Sequence, residues 1–148
     1  MAKLTIQMPD EFLQKVSRLA EKTDTILPKV LEAGGAVVLP KVKSNLQAAV
    51  GSNTKYESRS TGELIDALGV TTPKQDRDGN FNVKIGFAEP RKNSGKVKSI
   101  SNAMLAGILE YGKSGQPPKP FLKPAKTATK KPCIAAMTET LEREIENL

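Results

Sequence analysis

The sequence predicts an α+β fold with long N-terminal helices, a small antiparallel sheet built around a hairpin, a middle helix and a C-terminal helix. Apolar residues recur at helical spacing before residue 50 and after residue 130, and they alternate with polar residues between 81 and 88. A chain of 148 residues is a typical length for one domain. We therefore expect a single domain over 1–148, with a helical part at 1–50, the sheet and middle helix at 60–125, and the C-terminal helix at 126–148.

Two helices are predicted in the N-terminal part. Pro9 suits the first position of a short helix, and the acidic Asp10 and Glu11 suit the positive end of its dipole. Threonine and aspartate at 23–25 offer caps for a second, longer helix that reaches Val50. The predicted buried faces consist of Phe12, Val16, Leu19 and Ala20 in the first helix, and of Ile26, Val30, Leu31, Val37, Val38, Val42, Leu46 and Val50 in the second.

Pro40 falls in the interior of the second predicted helix. Because proline lacks a backbone N–H donor, we expect it to kink this helix or to split it in two. Pro28 falls in the first turn, where a proline is tolerated.

A polar, glycine- and serine-rich loop at 51–62 leads to the predicted sheet. Ser60 and Glu63 have the spacing of a capping box before one helical turn. Two β-prone runs, at 69–74 and 81–88, flank the turn-rich segment QDRDGN, and this arrangement predicts a hairpin. Its packed face is predicted to carry Phe81, Val83, Ile85 and Phe87.

The middle helix is predicted to run from Ser101 to Gly112, since glycine commonly ends a helix. The proline-dense segment that follows predicts a stiff, extended strap that lays Phe121 into a pocket. We expect Lys130-Lys131-Pro132 to restart the chain as a C-terminal helix. Its apolar face is predicted to consist of Ile134, Met137, Leu141, Ile145 and Leu148.

Composition excludes several kinds of site. The chain contains no histidine and one cysteine, so Ser-His-Asp catalysis, Cys-His catalysis, ordinary zinc sites and an internal disulfide are all excluded. The longest apolar run, at 36–39, is far shorter than a membrane helix, and acids at 10 and 11 interrupt any signal peptide. We expect a protein that is soluble and cytoplasmic at synthesis, with no cofactor, no metal and no membrane contact.

The net charge of +7 is concentrated in residues 91–131, which hold ten basic residues and one acid. Such a segment is typical of a nucleic-acid contact, of an acidic partner surface, or simply of a solvated lysine-rich loop. Residues 91–99 form a charged loop of the kind that orders on contact with a partner. The candidate basic patch consists of Arg91, Lys92, Lys96, Lys98, Lys119 and Lys123.

The stretch GILEYGKS matches the spacing of a phosphate-binding P-loop at Gly107, Gly112, Lys113 and Ser114. A P-loop follows a buried strand and precedes a helix whose N-terminus faces the phosphates. Here a helical pattern precedes the motif and prolines follow it. We therefore interpret the match as a helix end and reject a nucleotide site.

Two motifs in order support a resemblance. The segment from Ala106 to Gly112 reads A-x-x-L-E-Y-G, and the segment from Lys119 to Ala125 reads K-P-F-L-K-P-A. Together with the T-G-x-L element at 61–64, they make the chain similar to the tail-completion or neck proteins of long-tailed bacteriophages. The residues that carry this likeness are Thr61, Gly62, Leu64, Glu110, Tyr111, Gly112, Pro120, Phe121, Leu122 and Pro124.

The resemblance implies a structural protein of the virion's head–tail connector, assembled in the host cytoplasm without catalysis. It implies a homo-oligomeric ring with other neck and tail proteins as partners, with the hairpin edge available for pairing between subunits. It also assigns residues 110–112 and 120–122 to holding the last helix against the body. A tail-terminator ring protein is the neighbouring role.

Several alternatives stay open at this stage. A small nucleic-acid-binding protein, with nonspecific DNA contact at the basic segment, is the second hypothesis, and an enzyme is the third. Glu110 is either a solvent-exposed acid at a helix end or an ionic partner of Lys119 or Lys123. Phe121 is either a core anchor or an interface anchor.

Overall fold

The computed structural model describes residues 9–51, 62–89 and 101–148. Within them the fold is mixed α+β, with long helices at both ends, as the sequence predicts. The helices and strands follow in the order α1 (Asp10–Ala49), α2 (Glu63–Ala67), β1 (Leu68–Val70), β2 (Lys74–Gln75), β3 (Phe81–Asn82), β4 (Ile85–Phe87), α3 (Asn102–Tyr111) and α4 (Leu122–Glu146).

Helix α1 is one continuous helix of 40 residues, so the predicted division at 23–25 is wrong. Thr23 does not cap a new helix, because its hydroxyl donates a hydrogen bond to the Leu19 carbonyl one turn earlier, at 2.9 Å. The helix also continues through Pro40 and is not split there. An interior proline costs about 3 kcal/mol, and burial of several apolar side chains at about 1.5–3 kcal/mol each outweighs that cost. The buried apolar side chains of α1 are Ile26, Val30, Val42, Leu46 and Ala49.

The first turns of α1 are exposed, which contradicts the predicted buried face. Phe12 is 51% exposed and Val16 is 47% exposed. Ala20 is also exposed, and Leu19 is partly buried. The reason lies in the antiparallel packing of α4 along α1, which reaches only as far as Arg18, whose Nη1 donates to the Leu148 carbonyl at 2.9 Å.

Helix α4 is continuous through Pro132, so the predicted restart at 130–132 is wrong. It begins at Leu122, four residues before the expected boundary at 126. Along its length, Lys29 on α1 forms an exposed ion pair with Glu144, with 3.3 Å between Nζ and Oε1. Such a pair contributes little stability, so apolar packing is the main force that joins the two helices.

Two adjacent glycines let α1 contact both of its neighbours closely. A Cβ atom at Gly34 would lie 2.8 Å from Met137 Sδ and 3.2 Å from Cys133 Sγ, both on α4. A Cβ atom at Gly35 would lie 3.4 Å from Cγ1 of Val70, on the hairpin side. The absence of a side chain at Gly34 therefore sets how near α4 can approach.

The predicted hairpin is present as two short antiparallel ladders. Strand β1 pairs with β4, with Val70 opposite Ile85, and β2 pairs with β3, with Lys74 opposite Asn82. Between the two ladders, the chain from β1 to β2 (residues 71–73) therefore has one residue more than the chain from β3 to β4 (residues 83–84). One extra residue on one side of an antiparallel pair is the arrangement of a β-bulge. Pro73 lies in this interruption, where a missing N–H donor is tolerated.

Ser60, the first residue of the predicted capping box, lies outside the described residues. Helix α2 begins at Glu63, with Gly62 in the cap position. Gly62 has φ 79°, a left-handed conformation that glycine adopts readily.

The turn beyond the hairpin strands is ordered by Asp76, whose Oδ1 accepts hydrogen bonds from the N–H groups of Asp78 and Asn80 at 2.9 Å each.

The core lies where α1, α2, α3, the hairpin and the start of α4 meet. Its buried members are Val42, Leu46, Leu64, Ala106, Phe121 and Ala125. Phe87 of β4 packs edge-on against Phe121, with ring centroids 6.2 Å apart. Within the part of the chain that the structure describes, no helix combines the length and apolar character needed to cross a membrane.

Candidate functional site

Glu110, at the end of α3, caps the N-terminus of α4. Its Oε2 accepts hydrogen bonds from the N–H groups of Phe121 at 2.8 Å and Leu122 at 2.9 Å, and its Oε1 accepts one from Lys123 at 3.0 Å. These donors have no partner within α4, because the first N–H groups of a helix never do. A carboxylate at this position is also favoured by the positive end of the helix dipole.

Glu110 is only 7% exposed, so the expectation of a solvent-exposed acid is wrong. Burial alone would raise the pKa of its carboxyl group. The three backbone hydrogen bonds, together with the charge of Lys123, outweigh burial and hold the pKa of Glu110 below its ordinary value. The Glu110 carboxylate is therefore held mainly by backbone donors, and the charge of Lys123 is the smallest of these effects.

Phe121 is fully buried, as expected for a core anchor. Asn45 of α1 donates its Nδ2 hydrogen to the Phe121 carbonyl at 3.3 Å, so this residue is held by α1 as well as by Glu110. The extended strap ends sooner than predicted, since Leu122 and Pro124 belong to the first turn of α4 and only the residues up to Pro120 are non-helical.

The turn between α3 and the strap depends on Gly112, the C-terminal cap of α3. It has φ 78°, and a Cβ atom there would lie 2.9 Å from the Gln116 carbonyl oxygen and 2.9 Å from the Pro118 nitrogen. Lys113 and Gln116 exchange two backbone hydrogen bonds, of 3.0 and 2.9 Å. The apparent P-loop residues thus form a tight turn after a helix, and α4 begins only at residue 122, in line with the rejection of a nucleotide site.

The remaining predicted residues are separated. Leu64 is buried in the core, whereas Tyr111 is 82% exposed. Thr61 and the candidate basic residues Arg91, Lys92, Lys96 and Lys98 lie outside the described residues, as do residues 52–61 of the predicted loop at 51–62 and the whole of the predicted loop at 91–99. Lys119 donates its backbone N–H to the Leu109 carbonyl at 2.6 Å.

A groove of about 630 Å³ lies beside the Glu110 cap, between α1, β4 and α4. Val38, Val42 and Ile85 contribute apolar side chains to its lining. Three further residues combine a place in this lining with exposed side chains, namely Tyr111, Leu122 and Ile134. The groove is therefore an apolar surface that is open to a partner.

A row of lysines follows one side of this groove. Lys123, Lys126 and Lys130 all line it, and their spacing of three and four residues places them on one side of α4. Sequence reasoning singled out Lys123 and missed Lys126 and Lys130. The helical spacing would have revealed the row if α4 had been predicted to begin before residue 126.

No group of three or more cysteine, aspartate or glutamate side chains within metal-binding reach occurs in the described ranges. Glu110 is the one buried ionisable residue among them, and its carboxylate oxygens are occupied by backbone donors. The Glu110 carboxylate is therefore used to hold the start of α4.

Comparison with known proteins gave one family match. Residues 10–112 match the family model HK97-gp10_like, described as "Bacteriophage HK97-gp10, putative tail-component". The matched residues include the long α1, the hairpin and α3, and they end at Gly112, so that α4 lies beyond them. No curated protein and no solved structure matches the chain.

Proposed function

The chain belongs to the HK97-gp10-like family of bacteriophage tail components, and from this premise we propose that it is a structural subunit of the head–tail connector that completes the tail. In this role it acts by assembling with copies of itself and with neighbouring neck and tail proteins. It enters the virion after assembly in the host cytoplasm. The observation that carries the proposal is the family match over residues 10–112, which spans α1 to the end of α3.

The surface supports a role in assembly. Large apolar side chains are exposed at two separate places, the first turns of α1 and the groove beside α4. Exposed apolar patches of this kind are typical of surfaces that partner proteins cover. The absence of histidine from the chain and the use of Glu110 as a helix cap agree with a function that requires no catalysis.

The architecture also supports a subunit that holds its shape while its surfaces are engaged. The Glu110 cap joins α3 to α4, and Asn45 joins α1 to the same point through the Phe121 carbonyl. Side chains on two helices thus fix the start of α4. We infer that this junction keeps the groove in one shape, because Leu122 and Lys123 line the groove and are themselves bonded to Glu110.

Deletion of the gene from the phage genome tests the proposal. We expect electron micrographs of the lysate to show filled heads and separate tails of normal length, and purified protein added to that lysate should restore infectious particles. Tails of abnormal length would instead assign the chain to tail termination. Normal joined particles would refute both roles, and steeply salt-dependent binding of the protein to random duplex DNA would then favour the nucleic-acid hypothesis.

A further inference from the structure

The first turns of α1 continue the apolar stripe that α4 covers farther along. Phe12 and Val16 are one helical turn apart, and Leu13 is three residues before Val16, so all three lie on one broad side of the helix. All three are about half exposed, at 51%, 47% and 48% respectively. Because the packing of α4 reaches only to Arg18, this part of the stripe has no cover among the described helices.

Charged residues of opposite sign flank this stripe. Asp10 and Asp24 are two times seven residues apart, and seven residues correspond to about two helical turns, so they lie along one flank. Lys15 and Lys22, also seven residues apart, lie along the other flank together with Glu11, which is one helical turn before Lys15. All five side chains are exposed. The N-terminal end of α1 is therefore an apolar ridge with one acidic side and one side of mixed charge.

The groove beside α4 has the complementary pattern. Its lining is apolar, and Lys126 and Lys130 lie along one side of it, both exposed. A helix with an apolar ridge and an acidic flank can place the ridge on the apolar lining and the acids beside the lysines. This is the helix-in-groove form of recognition, in which apolar anchors recur at helical spacing.

We propose that residues 10–17 of α1 dock in the groove of a second copy of the chain, with Asp10 directed toward Lys126 and Lys130. This inference rests on the proposed function as an assembly subunit and names the partner of its groove. The same molecule cannot fill its own groove, because Phe12 and Val38 are 26 residues apart on one continuous helix, a separation of roughly 40 Å at about 1.5 Å per residue.

The contact joins two different surfaces, so a bound pair of copies leaves one α1 end and one groove free. Repetition of such a head-to-tail contact gives a closed ring or an open filament. The acidic end of α4 is a weaker candidate for the same groove. Glu139, Glu142 and Glu146 are exposed there, but the apolar side chains beside them, such as Leu141, are partly covered.

Mixing two differently blocked variants of the full chain tests the proposal. One variant blocks the groove with Lys126→Glu and Lys130→Glu, and the other blocks the α1 end with Phe12→Asp and Val16→Asp. All four side chains are exposed, so we expect an unchanged Tm for both variants. The matched control is Lys22→Glu with Lys131→Glu, which makes the same change in net charge as the groove variant, at exposed positions outside the proposed contact.

Sedimentation velocity across a wide concentration range gives the readout. We expect the wild type and the control to associate, each blocked variant alone to show a Kd raised by tenfold or more, and a 1:1 mixture to form a dimer that grows no further. That dimer contains the one contact whose two surfaces are both intact. A monomeric wild type at every soluble concentration, blocked variants with wild-type association, or a mixture that stays monomeric would overturn the proposal.

The gene-deletion experiment separates this inference from the proposed function. Unjoined heads and tails in the deletion lysate, together with a failed mixing experiment, would refute only the α1-to-groove contact. Normal particles together with a dimer in the mixture would refute the connector role and leave the contact between copies established.

Discussion

The carboxylate of Glu110 accepts a hydrogen bond from the backbone N–H of Phe121 at 2.8 Å, and this bond joins the last turn of α3 to the first turn of α4. The Phe121 side chain is fully buried, so the same residue carries a helix cap and a core anchor. Removal of the cap therefore affects the position of the anchor as well as the helix end.

We expect Glu110→Ala to lower the free energy of unfolding by about 2–3 kcal/mol, because it leaves three N–H groups at the α4 start without their acceptor. Glu110→Gln retains one carbonyl acceptor and is expected to cost less, about 1–2 kcal/mol. Urea unfolding followed by circular dichroism measures both. Glu142→Ala, at an exposed position of α4, is the control, and a Glu110→Ala loss no larger than that of the control would contradict the capping role.

The pH dependence of stability follows from the lowered pKa of Glu110. The carboxyl group of the unfolded chain takes up a proton near pH 4.3, above the pKa of the folded state, so the unfolded state binds more protons in this window. The contribution of Glu110 is therefore fully present above about pH 4.3 and is lost as the pH falls through the folded pKa. Urea titrations from pH 7 downward should show the difference between wild type and Glu110→Gln shrinking in acid; a constant difference would be inconsistent with this account.

The sequence was sufficient to predict the parts of the fold that rest on local chemistry. The α3 boundaries follow from Ser101, whose side chain accepts the Met104 N–H, and from Gly112, whose φ is 78°. The hairpin follows from alternation and from the turn around Asp76. Each of these signals lies within a few residues of the structure it specifies.

Several predictions that depend on tertiary packing were wrong. Helix α1 is not split at Pro40 and α4 does not restart at Pro132, because the two helices cover each other, which no local pattern reveals. The motif around Glu110 was recognised, but its role as a cap depends on a contact with Phe121 eleven residues away. The lysine row was missed because it begins within a segment that was predicted to be extended.

The close approach of α1 and α4 predicts opposite effects for two helical glycines. At Gly34 a Cβ atom would lie 2.8 Å from Met137 Sδ, whereas at Gly107, in α3, no atom lies within 4 Å. We expect Gly107→Ala to stabilise the protein by about 0.5–1 kcal/mol through helix propensity. Gly34→Ala has the same propensity gain but displaces Met137, and we expect a net loss of about 1 kcal/mol.

Urea unfolding measures the stability change of both variants from the shift in the denaturant midpoint, provided that the slope of the free energy against denaturant concentration stays constant. If Gly34→Ala stabilised the chain as much as Gly107→Ala, the contact between Gly34 and Met137 would not limit the approach of the two helices.

The turn after α3 makes a sharper prediction, because two of its glycines share a positive φ and differ in their surroundings. Gly112 and Gly115 have φ 78° and 77°, and a positive φ costs any other L-residue about 1–2 kcal/mol. At Gly115 a Cβ atom would meet nothing within 4 Å, so Gly115→Ala should cost only that amount. At Gly112 it would meet the Gln116 carbonyl oxygen and the Pro118 nitrogen at 2.9 Å each, and backbone atoms cannot move aside as a side-chain end can.

We therefore expect Gly112→Ala to cost about 3–4 kcal/mol, the sum of the penalty for a positive φ and the overpacking of the turn. The change should also weaken the Glu110 cap, because the turn at Gly112 sets the distance between Glu110 and the Phe121 N–H. The double mutant Gly112→Ala with Glu110→Ala isolates this coupling. Its loss of unfolding free energy should be smaller than the sum of the two single-mutant losses by at least about 0.5 kcal/mol. Fully additive losses would mean that the turn and the cap stabilise α4 independently.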